Sequence, residues 1–578
     1  MQAVSTSPYH LSMARKFNTW YTVKDGNWSD PTIWVGNAKR KFSVPQAGDN
    51  VCINNSVTVD ANNYIVNDLY ATGDLIFSAT ITSSLTVSGD LQVIGTLDMS
   101  TTHICNLTLN GVNNFVGNFI TPGSNSTINY NGLGDQTIMY LPYANLGLAG
   151  TGNKNVVNGL TISGTTSISG NAIMLNQSLT GVLTFVGQFS MGGSGTTPLP
   201  SLNNVVNANI IFEGGLSWDV RFANLNIGTG NVYFNGTQTI GIGGGSAYNN
   251  YNTIIIEGSS VVTIPSGNTP FVVNGGINGT TSSSTLNVSG ILWQATNVEP
   301  MTTGIYNYNY GGTSTIGYVY NGNYTLPYTS YHNLQINGTG IKTSGGATTL
   351  TGNLTLDYSG ILELSSYDFT VDGTATFNDS SGITKNSGTG YTTFKGQLNM
   401  ETAASAVFAV NYPCTVEFQN GLYFDVNVGA PVFVSGVTLR FTTNNQAIDS
   451  GHGASAMWGC DILISGAITV TNQNWGFGIT GTLNGDNASS TFNNIVSLTY
   501  ENVQQPMQTG ILSSNNSGTK NAFIYGLAGN QDITPGNYYN LTLNGSGAKR
   551  LLGNVTVYGT YALTSPATLN SNGYTLTP

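Results

Sequence analysis

Apolar and polar residues alternate along this chain in short bursts. Ser84-Leu85-Thr86-Val87-Ser88-Gly89, Leu160-Thr161-Ile162-Ser163-Gly164, Gly352-Asn353-Leu354-Thr355-Leu356 and Gly553-Asn554-Val555-Thr556-Val557 each place an apolar residue at every second position beside a Gly. A period of two belongs to a strand with one buried face. No stretch sustains a helical period. The predicted elements are therefore many short β-strands joined by tight turns. Two all-β architectures accommodate them, a parallel β-solenoid (β-helix) and a string of β-sandwich domains. Sandwiches use longer strands and clearer Greek-key spacing, so the solenoid is the expectation. With about 22 residues per coil there are about 25 coils, and at a strand spacing of ~4.8 Å they make a rod of roughly 120 Å.

A longer period lies over the short one. Phe212-Glu213-Gly214-Gly215-Leu216 returns as Phe418-Gln419-Asn420-Gly421-Leu422, and Thr184-Phe185-Val186-Gly187-Gln188 as Thr393-Phe394-Lys395-Gly396-Gln397. Asn297-Val298-Glu299-Pro300-Met301 returns as Asn502-Val503-Gln504-Gln505-Pro506-Met507 with one inserted Gln, and Tyr331-His332-Asn333-Leu334 as Tyr538-Tyr539-Asn540-Leu541. Four blocks in one order at a nearly constant offset of roughly 200 residues point to tandem duplication. The predicted segments are 1–63 (a Trp-rich cap), 64–142 (first coils), 143–330 and 331–537 (two copies) and 538–578 (the start of a third).

Composition supports strands rather than disorder. Gly numbers 74 of 578 residues and only 7% are charged, yet there are 30 Tyr and 22 Phe. Disordered chains lack such aromatics. The net charge of −11 disfavours nucleic acid, whose binding rests on Lys and Arg against phosphate. No run reaches the roughly 18 apolar residues of a membrane span. The four cysteines, Cys52, Cys105, Cys414 and Cys460, are widely spaced and are expected to be small buried residues rather than disulfides or metal ligands.

The beginning of the chain reads differently. Trp20, Trp28 and Trp34 fall within fifteen positions, followed by Lys39-Arg40-Lys41. A solenoid needs its open end covered, and three Trp suit that cap. The same residues are predicted to dock the chain onto other particle proteins. Trp28-Ser29-Asp30-Pro31 with Trp34, then Gly48-Asp49-Asn50-Val51 and Val57-Thr58-Val59-Asp60, resemble the start of repetitive β-helical surface and appendage proteins of Bacteroidetes-type bacteria and their phages. Tyr539-Asn540-Leu541-Thr542-Leu543-Asn544-Gly545 and Asn554-Val555-Thr556-Val557-Tyr558-Gly559 are similar to the recurring repeat of that group. The resemblance covers the cap and scattered repeat lines and brings no catalytic residues. Secreted members start with a signal peptide and end in a sorting domain. Met1 to Pro8 shows no basic region followed by an apolar core, and the sequence stops inside a repeat. The expectation is therefore a virion or phage-tail-like component.

β-Helices also include pectinase-like enzymes. Gly451-His452-Gly453 resembles a short polygalacturonase motif, but such enzymes need paired carboxylates, and only Asp449 lies close upstream. Asp219 and Asp425 hold matching places in the two copies and read as turn-capping residues. His10, His103, His332 and His452 lack metal-ligand spacing. Tyr248-Asn249-Asn250-Tyr251 and Tyr306-Asn307-Tyr308-Asn309-Tyr310 mix rings with amides, which makes adaptable contact surfaces. Tyr248, Tyr251, Tyr306, Tyr308 and Tyr310 are the candidate receptor or glycan contacts. The alternative for these rings is a ladder packed on the solenoid flank.

Together these readings predict a non-enzymatic structural component of a virion or tail-like particle: a fibre, spike or surface decoration at its exterior. No catalytic residue, metal or cofactor is assigned. Expected partners are further copies of the chain, with a homotrimer favoured, other particle proteins at the N-terminus and host surface polysaccharide. A secreted bacterial cell-surface adhesin and a carbohydrate-active β-helix enzyme remain the alternatives.

Overall fold

The structure, a computed structural model, describes residues 18–36, 43–177, 181–192, 200–204, 208–219, 224–226, 230–243, 252–267, 269–400, 407–424, 431–451, 457–518 and 520–578. It is 51% strand and 1% helix, wound as a parallel β-solenoid of about 22 turns. The solenoid is therefore the architecture, and the string of sandwiches is not.

Alternation and register together explain why these residues form coils. Leu160–Ile162 pairs in parallel with Leu183–Phe185, which pairs with Ile210–Phe212, and that with Asn231–Phe234. The strands bury alternate residues (Leu160 and Ile162, Leu183 and Phe185, Ile210 and Phe212, Val232 and Phe234) and turn Thr161, Thr184, Ile211 and Tyr233 outward. In-register stacking then sets like side chains on each other. Phe185 and Phe212 stack at 5.3 Å and 14°, and Phe212 and Phe234 at 5.8 Å and 25°. Phe394, Phe418 and Phe441 repeat the stack at 5.8 Å and 14°, then 5.4 Å and 24°. The repeated sequence blocks thus place equivalent rings in equivalent core sites. Cys52, Cys105, Cys414 and Cys460 are buried free thiols in that core.

The chain divides into two compact units, Met1–Leu292 with Val298–Asn307, and Trp293–Asn297 with Tyr308–Pro578. In the first, one twelve-stranded sheet runs from Tyr64–Val66 to Ile305–Asn307. In the second, coil after coil gives one strand to each of three sheets, beginning Asn333–Ile336, Gly340–Ser344 and Thr348–Leu350. The copies agree in atomic detail. Met301 and Met507 both adopt positive φ, 55° and 53°, followed by Gly304 and Gly510 at 114° and 113°. The Asn278 and Asn484 side chains each accept from a backbone N–H, of Thr303 and Thr509, at 2.7 Å.

The N-terminal strand Thr19–Thr22 is antiparallel to Trp34–Gly36 and parallel to Asn50–Ile53. Here the expectation for the Trp side chains needs correcting. Trp20, Trp28 and Trp34 are 2, 0 and 5% exposed. Trp20 Nε1 donates to Asp49 at 2.8 Å, Trp34 Nε1 to the Trp28 carbonyl at 2.9 Å, and the Trp28 ring lies 5.0 Å from Trp34 and 5.3 Å from Tyr64. These rings pack inside the chain's own first coils. Burying a Trp removes large apolar area from water, so none of the three offers a face to a partner.

Two polar nodes recur where a coil leaves the regular ladder. Tyr130 and Tyr143, Tyr318 and Tyr331, and Tyr525 and Tyr538 are hydroxyl-to-hydroxyl pairs at 2.8, 3.2 and 2.9 Å. In the first pair, Met139 N–H donates to Tyr130 Oη at 3.0 Å and Tyr143 Oη–H donates to Met139 O at 2.8 Å. Thr534 is held in the same way by Tyr525 and Tyr538. The pair thus bonds both backbone groups of the residue between its members, adding to the Leu141 N–H that Met139 O also accepts at 3.0 Å. The second node is a lysine at the same distance after each second Tyr. Lys154, Lys342 and Lys549 are 0% exposed. Lys154 Nζ donates to Gly132 O, Gly134 O and Thr151 O at 2.9, 3.1 and 2.9 Å; Lys342 Nζ donates to Gly322 O and Thr339 O at 2.8 and 2.9 Å. Burial lowers the Lys342 ammonium to about 8, and its carbonyl acceptors favour the charged form.

Two outcomes follow for stability. Lys342→Met removes the ammonium shared by the Gly322 and Thr339 carbonyls; Thr339 O keeps the Gly322 N–H at 2.9 Å, so the loss is of one charged donor, at about 1–3 kcal/mol, and thermal unfolding of the full chain should shift downward; an unchanged midpoint would show that water replaces the ammonium. The tyrosines set the alkaline limit. Burial pushes Tyr130 up to about 12, and Tyr143 and Tyr538 well above the usual 10. The folded chain then keeps protons that the unfolded chain loses, so this stabilisation is complete below pH 10 and is lost as pH rises towards 12. Circular dichroism should show cooperative unfolding in that window. Tyrosinate absorbance rising near pH 10 for every tyrosine, with strand signal intact, would contradict it.

Candidate functional site

The anticipated contact residues scatter. Tyr248, Tyr251 and Lys39-Arg40-Lys41 lie outside the described residues, as do Asp425, His10 and His452, while Asp219 ends the strand Leu216–Asp219. Tyr306 sits half-buried on Ile305–Asn307 of the first unit. Tyr308 and Tyr310 belong to the second unit. Tyr310 is 48% exposed. Tyr308 is half-buried, its ring stacked on Tyr328 at 4.4 Å and lying 5.7 Å from Tyr331, and burial raises its hydroxyl pKa. For Tyr308 the flank-packing alternative is what the structure has. Asp449 is fully engaged: Gln473 Nε2 donates to one carboxylate oxygen at 2.9 Å and Asn474 Nδ2 to the other at 2.6 Å.

A more continuous surface lies on the outer face of the second unit's longest sheet. Parallel registration carries one outward position from coil to coil: Gly317 opposite Gln335, then Thr355, Thr376, Asn399, Tyr423, Asp449 and Gln473. Their chain neighbours Leu334, Leu354, Ala375, Leu398, Leu422 and Ile448 are buried, which fixes the column on the outside. A strand spacing of about 4.8 Å repeats the groups regularly along the sheet. Trp293 begins the row. A Cβ at Gly317 would lie 2.3 Å from Trp293 Cδ1, so the glycine lets the indole lie across it, and Trp293 Nε1 reaches Gln335 Oε1 at 3.2 Å. Gln335 Nε2 in turn donates to Asp357 at 3.2 Å, and Asn378 Nδ2 donates to the other oxygen of Asp357 at 2.6 Å. The result is a surface of amides, hydroxyls and two aromatic rings, with its carboxylates accepting hydrogen bonds from side-chain amides.

Trp475 stands beyond the end of the column, 40% exposed, with Lys520 Nζ 4.7 Å from its ring centre. Such a pair is a cation–π contact. Neither Trp293 nor Trp475 is marked by a sequence motif. The Gly317 that admits the Trp293 ring is the one visible signal, and it is intelligible only once the coil register is known.

Among the described residues no group of His, Cys, Asp or Glu is placed to hold a metal ion, and no helix is long and apolar enough to cross a membrane. No family model, curated protein or solved structure matches the chain. Fold and surface define a class, a repeat-built parallel β-solenoid whose second unit carries an outer column uncharged apart from Asp449.

If that column binds polysaccharide, Trp293→Ala should weaken retention on a neutral polysaccharide by about 10-fold, the scale of one aromatic contact. Leu133→Ala, 83% exposed on the first unit, should leave it unchanged. Affinity electrophoresis compares the two, and equal retention would remove the column from consideration.

Proposed function

We propose that this chain is a non-enzymatic structural and attachment component of a virion or phage-tail-like particle, a fibre, spike or surface decoration that contacts host polysaccharide. The observation that carries this reading is the outer column from Trp293 to Gln473. The sheet presents hydrogen-bonding groups, all uncharged but Asp449, at a regular spacing, which suits many weak simultaneous contacts with a polymer. The tying of Asp449 to Gln473 and Asn474 supports a contact role for that carboxylate over a catalytic one.

Self-association belongs to the same proposal, with a homotrimer as the assembly. Phe115–Phe119 pairs with Leu91–Asp98 and with no other described strand. Phe115 and Ile94 on these strands are 54 and 51% exposed. An open edge with apolar side chains is a surface that proteins ordinarily cover, and a symmetric partner closes it. Docking to the particle through the N-terminal end remains part of the reading, through surface residues rather than the buried Trp rings.

Cryo-imaging of particles carrying a labelled chain tests the proposal. The expected result is threefold density at the particle exterior. Label confined to a bacterial cell envelope, without particles, would favour the secreted adhesin instead.

A further inference from the structure

The copies treat one corner of the coil in three ways. Ser126-Thr127-Ile128-Asn129-Tyr130 aligns with Ser314-Thr315-Ile316-Gly317-Tyr318. This alignment sets Tyr140 opposite Tyr328, each three residues before the second Tyr of its buried pair. In the second copy the Tyr328 ring is covered by the Tyr308 ring at 4.4 Å and 28°. In the third, Pro535 holds the place. In the first, the residue aligned with Tyr308 is Ile120, and Tyr140 is 72% exposed. Beside Tyr140 runs a groove of about 610 Å³ whose lining includes Thr121, Leu141, Pro142, Thr161 and Val182.

We infer that the groove at Tyr140 is a subsite for one neutral pyranose ring of a polysaccharide, occupying the place that the Tyr308 ring fills in the second copy. The inference rests on the glycan-contact reading above and assigns it a position in the first unit. The chain itself shows what this corner accepts: a six-membered ring with a hydroxyl on its rim, lying nearly parallel to the tyrosine. A pyranose has that size and a polar rim. The hydroxyls of Thr121 and Thr161, on exposed residues, border the groove, the Ser163 hydroxyl there donates to Tyr143 O at 2.9 Å, and none of the lining residues is charged. An anionic sugar would have no counter-charge in the lining, whereas a neutral one needs none. Stacking on the exposed ring supplies apolar contact area, and the surrounding hydroxyls supply hydrogen bonds.

The second copy also suggests the cleanest test. Ile120→Tyr should fill the first groove with the chain's own ring, as Tyr308 does, without removing any polar group. Wild type, Tyr140→Ala, Tyr140→Phe and Ile120→Tyr are titrated by calorimetry with neutral hexaoses of xylose, glucose (β-1,4 and α-1,4), mannose and N-acetylglucosamine, and their thermal midpoints are compared. At least one hexaose should bind the wild type and Tyr140→Phe alike. Tyr140→Ala and Ile120→Tyr should each weaken it by about 10-fold or more, with Ile120→Tyr as thermostable as the wild type. If Ile120→Tyr misfolds, Tyr140→Ala decides alone. Equal binding by all four proteins would overturn the subsite while leaving the outer column intact, because Trp293→Ala reads that surface separately. Binding of none of the hexaoses to the wild type would also overturn it. So would binding at Tyr140 of a tyrosine-bearing peptide but no sugar, which would assign the groove to a protein partner.

Discussion

The parallel hydrogen-bond ladder joins each coil to the next residue by residue, and the rest of this structure follows from keeping that register through every turn. A strand slipped by one residue would turn its apolar side chains to water. Corners therefore have to absorb every difference in coil length without disturbing the strands. They do so with glycines and asparagines at positive φ and with side chains that bond to the coil beneath. Asn145, Asn333 and Asn540 show the device three times: each Oδ1 accepts a backbone N–H from the coil that follows, of Thr165, Asn353 and Thr560.

That constraint also accounts for the unusual interior. Where a corner cannot return its backbone groups to the ladder, the chain buries a polar side chain to meet them. The tyrosine pairs serve Met139 and Thr534 in this way, and Lys154, Lys342 and Lys549 serve clusters of carbonyls. Buried lysine is costly unless its ammonium is fully bonded. Its recurrence at one place in each copy marks a structural node rather than a catalytic group.

Strand existence was legible in the sequence because alternation and burial are one-dimensional properties. Leu160-Thr161-Ile162 and Leu354-Thr355-Leu356 are read correctly from period two alone. The duplication was legible because in-register stacking demands like residues at like places, as with Phe185, Phe212 and Phe394, Phe418. What could not be read were neighbours across coils. Tyr318 and Tyr331 sit in a tyrosine-rich stretch with no local sign of burial, and both are buried. The Trp rings at 20, 28 and 34 were assigned to a partner, because cap and docking surface share one composition. The row from Gly317 to Gln473 spans seven registered strand pairings and has no local signature at all.

On the proposed reading, the outer column would bind through its amides, hydroxyls and rings, with the Asp449 carboxylate a minor contributor. Salt dependence of binding tests that directly. Exposed charge–charge attraction weakens as ionic strength rises, whereas contacts among neutral groups are little affected. The measurement is the dissociation constant of the full chain for a neutral host polysaccharide between about 50 mM and about 500 mM NaCl, the Debye length falling from roughly 14 to 4 Å across that range. The account predicts a constant value across the series. Preference for an anionic polysaccharide, with affinity falling steeply as salt is added, would contradict it.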